Sequence, residues 1–264
     1  MTDNGGGPES HPPPESRQPL VNPAKPPFPM PEKTPLALLP GLLCDAALWQ
    51  PQVAALADVA APWVADLTGQ DSTAAMAESV LAAMPERFAL AGLSMGGYVA
   101  LEIMARAPGR VTRLALLDTR FQTDGREEAS RRRGLIELAE KGQFKGVTPR
   151  LLPLFIHEGR LGDADLTGTV TAMAERVGKD AFIRQQRAIM GRRDHSATLV
   201  AIHVPTLVLC GRQDALTPLA DHQAMAAGIA DARLVVIEDC GHLATLERPE
   251  AVNAALRRWL LSES

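Results

Sequence analysis

The 264-residue chain has no apolar run approaching the length of a bilayer span, so a helical membrane protein is not expected. It has no long basic stretch and a net charge of −4, which argues against nucleic acid as a partner. Cysteine is scarce. Cys44, Cys210 and Cys240 make an odd set without framework spacing, which argues against a disulfide scaffold and for a reducing, cytoplasmic compartment. The histidines are scattered and never fall at the close spacing of zinc ligands, so no metal is expected. No internal repeat is visible. Residues 1–34 lack the apolar core of a signal peptide. Rich in proline, glycine and polar residues, they read as a disordered or extended tail, with docking on a sheet edge as the alternative.

What the chain does have is Gly92-Leu93-Ser94-Met95-Gly96, a G-x-S-x-G pattern. Phe88 to Leu93 is a short apolar run suited to a buried strand, and Met95 to Arg106 is an apolar stretch of helical length stopped by Pro108-Gly109. Ser94 is therefore expected on a sharp strand-to-helix turn. Such a corner strains its central residue, and Gly92 and Gly96 relieve crowding across it because they lack a Cβ. The Met95 N–H, at the positive end of the following helix, can donate to a developing oxyanion.

A serine hydroxyl needs a base to take its proton, and the base needs a carboxylate to orient it. Downstream, Thr206 to Gly211 reads as a buried strand, with Asp214 in the loop after it. Leu234 to Ile237 reads as the next strand, followed by His242 and then a helix. The order Ser, Asp, His suits an α/β scaffold. Asp118, expected at the end of the preceding strand, competes with Asp214 for the role of orienting acid, but a hydrogen-bonding role at the mouth suits it better. Of the other histidines, His222 is expected on a surface helix, while His157 and His195 either line a pocket or face solvent.

The segments "VPTLVLCGRQDALTP" and "CGHLATLERPEAVNAALRRWL" are similar to the acid-bearing loop, and to the histidine loop and last helix, of α/β-hydrolase fold serine hydrolases. The resemblance runs from about Leu36 to the C-terminus, less definitely in the middle. Within that superfamily the chain most resembles small esterases and enol-lactonases. Met30, opening "MPEKTPLALLPG", resembles the beginning of such enzymes. The resemblance implies catalytic Ser94, Asp214 and His242, with an oxyanion hole from the Met95 and Leu42 N–H groups. It also implies an ester or lactone substrate and no cofactor. Where relatives often have His-Gly in the first loop this chain has Pro40-Gly41, which puts the loop's support in doubt. Gly41, Phe121 and His157 are candidate pocket residues.

Short strands alternating with helices imply a doubly wound, mainly parallel sheet. Expected strands are 36–39, 63–66, 88–93, 114–118, 206–211 and 234–237. The antiparallel hairpin usual before the first strand should be missing, since the proline-rich tail cannot fill a ladder. From Phe121 to Val204 the pattern is helical, with candidates at 131–141, 166–177 and 180–190. The expected organisation is a core of 35–120 and 205–264 with a helical cap at 121–204. Arg131-Arg132-Arg133 reads as a solvated helix face rather than an anion site, and Trp49 reads equally as core or pocket wall. The same side chains also serve thioester, C–C bond or peracid chemistry. A ligand-binding receptor and a cofactor-free oxygenase are the readings from other classes, and fold does not choose among these.

Overall fold

Alternating apolar residues put two different cores on the two faces of one sheet. In the strand Thr34–Leu39 (β1), Leu36 and Leu38 face one core, and Ala37 and Leu39 face the other. The same division holds for Phe88–Leu93 (β3) and Val111–Leu117 (β4), as period-2 side-chain geometry requires. The structure, a computed structural model, describes residues 1–2 and 33–262. Residues from Lys33 onward form one compact unit. The tail reading for residues 1–34 falls almost wholly outside the described residues.

Three further strands, Ala60–Val64 (β2), Thr206–Gly211 (β5) and Ala232–Ile237 (β6), complete a six-stranded parallel sheet in the order β2-β1-β3-β4-β5-β6. The expectation that no antiparallel hairpin precedes β1 falls on residues outside the described ones. β2 starts and ends earlier than its sequence pattern suggests. Its Pro62 has no N–H to donate, and the strand sits at the edge of the sheet, where that loss is tolerated.

Gln50–Leu56 (α1) packs on one face, while Thr73–Ala83 (α2) and Met95–Arg106 (α3) lie against the other. Local chemistry sets their ends. Ser72 Oγ accepts from the Ala75 N–H at 3.2 Å to cap α2, and Pro108 follows the end of α3. Between β4 and β5 lie the helices Arg126–Glu140 (α4), Ala164–Met190 (α5) and Ser196–Val200 (α6). α5 joins both helices expected at 166–177 and 180–190. It breaks at Gly178, whose φ of 73° a side chain would resist. Leu219–Gly228 (α7), Ala244–Glu247 (α8) and Pro249–Leu261 (α9) end the chain, with Pro249 preset for the first helical turn.

The chain leaves β1 toward β2 on one side and β3 toward β4 on the other. The carboxyl ends of β1 and β3 thus flank the switch point, where open α/β sheets hold their ligands. The loop after β1 and the turn after β3 both open there.

Candidate active site

Ser94 sits between β3 and α3 with φ 54° and ψ −115°, a conformation costing about 1–3 kcal/mol unless its surroundings enforce it. They do. Its N–H donates to the Leu117 carbonyl at 3.0 Å. Its carbonyl accepts from the Gly97 and Tyr98 N–H groups at 2.9 and 3.3 Å, and from Thr119 Oγ1 at 2.8 Å. A Cβ on Gly92 would overlap the Gly96 carbonyl, as the crowding argument requires. A Cβ on Gly96 would instead overlap the Leu39 carbonyl. The second glycine therefore serves the close passage of α3 over β1. Gly97, which the pattern did not single out, is pressed against the Thr119 side chain in the same way.

The structure brings Ser94, Asp214 and His242 together. His242 Nε2 lies 2.9 Å from Ser94 Oγ, and His242 Nδ1 lies 2.8 Å from Asp214 Oδ2. His242 and Asp214 are buried, whereas Ser94 is half-buried. Asp214 Oδ2 also accepts from Thr217 Oγ1 at 2.5 Å, and Oδ1 accepts the Leu216 and Thr217 N–H groups at 2.8 and 2.9 Å. Burial alone would raise the Asp214 carboxyl. The neighbouring His242 and the hydrogen bonds from His242 and Thr217 hold it below the usual carboxylate range.

Asp118 is fully buried rather than at the mouth. Its Oδ1 accepts from the Gly211 N–H at 2.9 Å and its Oδ2 from the Ala244 N–H at 3.4 Å, tying β5 and α8 to the end of β4. Burial, and next the charge on Asp214, push its carboxyl well above the usual range. The two acids are therefore pushed in opposite directions, Asp214 down and Asp118 up.

His222 is fully buried, not on a surface helix face. Its Nε2 accepts from the Thr119 N–H at 3.0 Å and its Nδ1 faces the Pro218 carbonyl at 3.2 Å. A backbone N–H can only donate, which puts the ring proton on Nδ1. Burial pushes the His222 pKa down. Asp118, Asp214 and His222 place potential ligand atoms within 4.8 Å of one another, but these hydrogen bonds already account for the atoms concerned.

His195 is also buried, 3.1 Å from Thr198 Oγ1 and beside Glu102. His157 is half-buried, its Nδ1 accepting from the Gly159 N–H at 3.1 Å. Phe121 is half-buried and its carbonyl accepts from the His195 N–H at 3.0 Å. Trp49 is core. Of the arginine run, Arg132 is engaged with Asp124 at 2.6 Å and Gln186 at 2.8 Å, while Arg131 and Arg133 are exposed.

Gly41 lies beside the serine, where an added Cβ would stand 3.3 Å from Ser94 Cβ. Leu42 follows it, and Leu43 adopts φ 59°, costing about 1–2 kcal/mol for a side chain with a Cβ. The Cys44 N–H closes the turn onto the Gly41 carbonyl at 3.2 Å. Among the described residues the Leu42 N–H has no acceptor. The Met95 N–H, at the first position of α3, has none within its helix by geometry. A cavity of about 300 Å³ lies between this loop, the residues after β2, and Arg176 and Val177 of α5.

Residues 36–255 match the Alpha/beta hydrolase family. The chain belongs to that family. It is similar to the pimeloyl-(acyl-carrier protein) methyl ester esterase of Aromatoleum aromaticum, 29% identical over 67% of this chain and 75% of that one. Among solved structures it resembles the thermophilic esterase of Thermogutta terrifontis, with TM-score 0.78, 29% identity and coverage of 86% and 89% of the two chains. The enol-lactonase of Burkholderia xenovorans matches in fold, with TM-score 0.79, 24% identity and coverage of 87% and 92%. This α/β hydrolase is an enzyme. No helix among its described residues is long and apolar enough to cross a membrane.

Two buried groups of this hydrolase escaped the sequence reading. Glu247 of α8 accepts from the Gly241 N–H at 2.9 Å and the His157 N–H at 2.7 Å. Beside it the Phe155 carbonyl accepts from the His242 and Leu243 N–H groups, each at 3.0 Å. Burial pushes the Glu247 carboxyl up, against the backbone N–H bonds from His157 and Gly241. Gln185 of α5 meets the loop after β1. Glu247 lies inside a quoted motif five residues past the histidine, a position that could have drawn attention to it. Gln185 sits alone in a helical stretch, with no local pattern to mark it.

Proposed function

We propose that the chain is a serine hydrolase of carboxylic esters, lactones included as internal esters. Ser94 is the nucleophile, His242 the general base and acid, and Asp214 the orienting carboxylate. The observation that carries this reading is the bridging position of His242, 2.9 Å from Ser94 Oγ and 2.8 Å from Asp214 Oδ2.

His242 Nε2 takes the Ser94 proton as Oγ attacks the carbonyl carbon. The tetrahedral oxyanion accepts from the N–H groups of Met95 and Leu42, each worth about 2.7–4 kcal/mol to the transition state. The imidazolium, stabilised through Nδ1–H by Asp214, gives its proton to the departing alcohol. Water, deprotonated by the same nitrogen, attacks the acyl-enzyme, and the acid leaves as Ser94 regains its proton. The names of the esterase relatives support the ester as substrate class. The cysteines are buried and unpaired, with Cys44 and Cys210 pushed up by burial to about 12, which agrees with a reducing compartment.

The test combines fluorophosphonate labelling with a panel of esters varied in acyl length, alcohol and ring closure. The wild type labels on Ser94 and turns over at least one class. Ser94→Ala neither labels nor retains more than about 10⁻⁴ of the rate. Full turnover by Ser94→Ala would overturn the serine mechanism.

A further inference from the structure

The Leu42 N–H lies on a loop that hydrogen bonds fasten in addition to the core packing of Leu43 and Cys44. Leu43, next along, is in the left-handed region at φ 59°, where a leucine is disfavoured. Its buried N–H is taken by Gln185 Oε1 at 3.0 Å. The other end of the same amide donates, Nε2 to the Leu67 carbonyl, at 3.2 Å. Gln185 is fully buried, so no water substitutes for these two bonds. It stands on α5 beyond the Gly178 break. Before that break Arg176 grips Asp45 through two bonds of 2.6 and 3.1 Å, and Asp45 in turn caps the short turn at Ala47. One inserted helix therefore grips the loop at Leu43 and again at Asp45.

We propose that Gln185 is a positioning residue for the oxyanion hole: through the Leu43 N–H it holds the Leu42 N–H in place beside Ser94. This rests on the roles given above to Ser94 and Leu42. Without the amide, the Leu43 N–H and Leu67 carbonyl lose their partners inside the protein. The strained 42–43 peptide then turns over to find others, and the donor before it moves away. An apolar side chain of equal length fills the space but holds neither group. A carboxyl behaves differently. Protonated, it copies the amide, accepting from Leu43 and donating to Leu67; ionised, it sets a negative oxygen against the Leu67 carbonyl.

The experiment measures kcat and KM for p-nitrophenyl acetate in wild type, Ser94→Ala, Gln185→Met and Gln185→Glu across pH. For Gln185→Met, kcat should fall about 10²-fold with KM little changed, the mark of a lost transition-state donor. Affinity for a trifluoromethyl ketone, which forms an oxyanion on the serine, should fall in parallel with kcat/KM. For Gln185→Glu, kcat relative to wild type should be near one at low pH and fall at least about tenfold toward pH 9, where buried glutamates ionise. The low-pH activity shows that this variant folds, even if the methionine variant does not. A ratio for Gln185→Glu that stays near one at every pH overturns the proposal, as does a methionine variant changed only in KM. Equal turnover by wild type and Ser94→Ala would instead overturn the serine mechanism beneath it.

Discussion

Gly41 and Ser94 approach so closely that a methyl group on one would press on the β-carbon of the other, at 3.3 Å. That spacing is tighter than ordinary van der Waals contact, and neither partner is free to retreat. Ser94 is pinned by bonds at both its N–H and its carbonyl, and Gly41 by its turn to Cys44.

Gly41→Ala should therefore displace the Leu42 N–H by a few tenths of an ångström while leaving the fold intact. Since a displacement of about 1 Å costs about 10²-fold, a loss of about tenfold in kcat is expected. KM should hold within about threefold and the thermal midpoint within a few degrees. Steady-state kinetics and a thermal melt check both.

The two buried acids should respond in opposite ways to an amide. Asp214→Asn should cost about 10⁴ in kcat, because the imidazole loses its orienting charge. Asp118→Asn should cost at most about tenfold, because its hydrogen bonds go to the Gly211 and Ala244 N–H groups rather than to His242. Its linkage sign follows from a folded pKa raised by burial and by Asp214. Stability from the protonated group is complete below the unfolded carboxylate pKa of about 3.9 and is lost as pH rises toward the folded value. Asp118→Asn removes that loss, so its stability relative to wild type should improve as pH rises above about 4. Urea melts across that window test the direction.

Asp124 works the other way. It is nearly buried between Arg192 at 2.8 Å and Arg132 at 2.6 Å. Burial alone would raise its carboxyl, but the arginines lower it. With the folded pKa depressed, its stabilisation is present above the unfolded value of about 3.9 and is lost as pH falls through the folded one. Asp124→Asn should thus destabilise the protein at neutral pH by about 3–5 kcal/mol, the cost of stranding a buried charge. The gap between variant and wild type should shrink as pH falls below the unfolded value of about 3.9 and through the depressed folded one.

Glu247→Ala orphans the Gly241 and His157 N–H groups, at about 1–3 kcal/mol each. A thermal midpoint lowered by several degrees is expected, together with reduced kcat, because Gly241 precedes the histidine. Glu247→Gln retains one acceptor and should fall between the alanine variant and wild type in both measurements.

The parallel sheet was legible because its inner strands announce themselves in the same terms. Runs such as Phe88 to Leu93 and Thr206 to Gly211 are apolar on both sides, as strands covered on two faces must be. The strand after the first loop was harder to place. Pro62 and the half-exposed alternation of Ala60–Val64 mark an edge, so hydrophobicity moved the expected strand toward Trp63–Asp66. Ser94, Asp214 and His242 could be read as a group because Ser94 directly follows β3 and the other two lie in the loops after β5 and β6.

What stayed hidden depends on distance along the chain. His222 reads as one polar residue on a short helix, yet Thr119, 103 residues earlier, supplies the donor that makes its burial tolerable. Gln185 is read only with Leu43, 142 residues away. No local period records such a pairing.

The break at Gly178 has a bearing on engineering. The segment from β4 to β5 is fastened near the base through Phe155 and His157, and near the loop after β1 through Gln185 and Arg176. Grafting a foreign segment here to alter selectivity would carry off both fastenings at once. A transplant that kept the donor's pocket but dropped these four contacts would fold around a misaligned centre, so chimeras should be cut inside the clasps rather than at the strand ends.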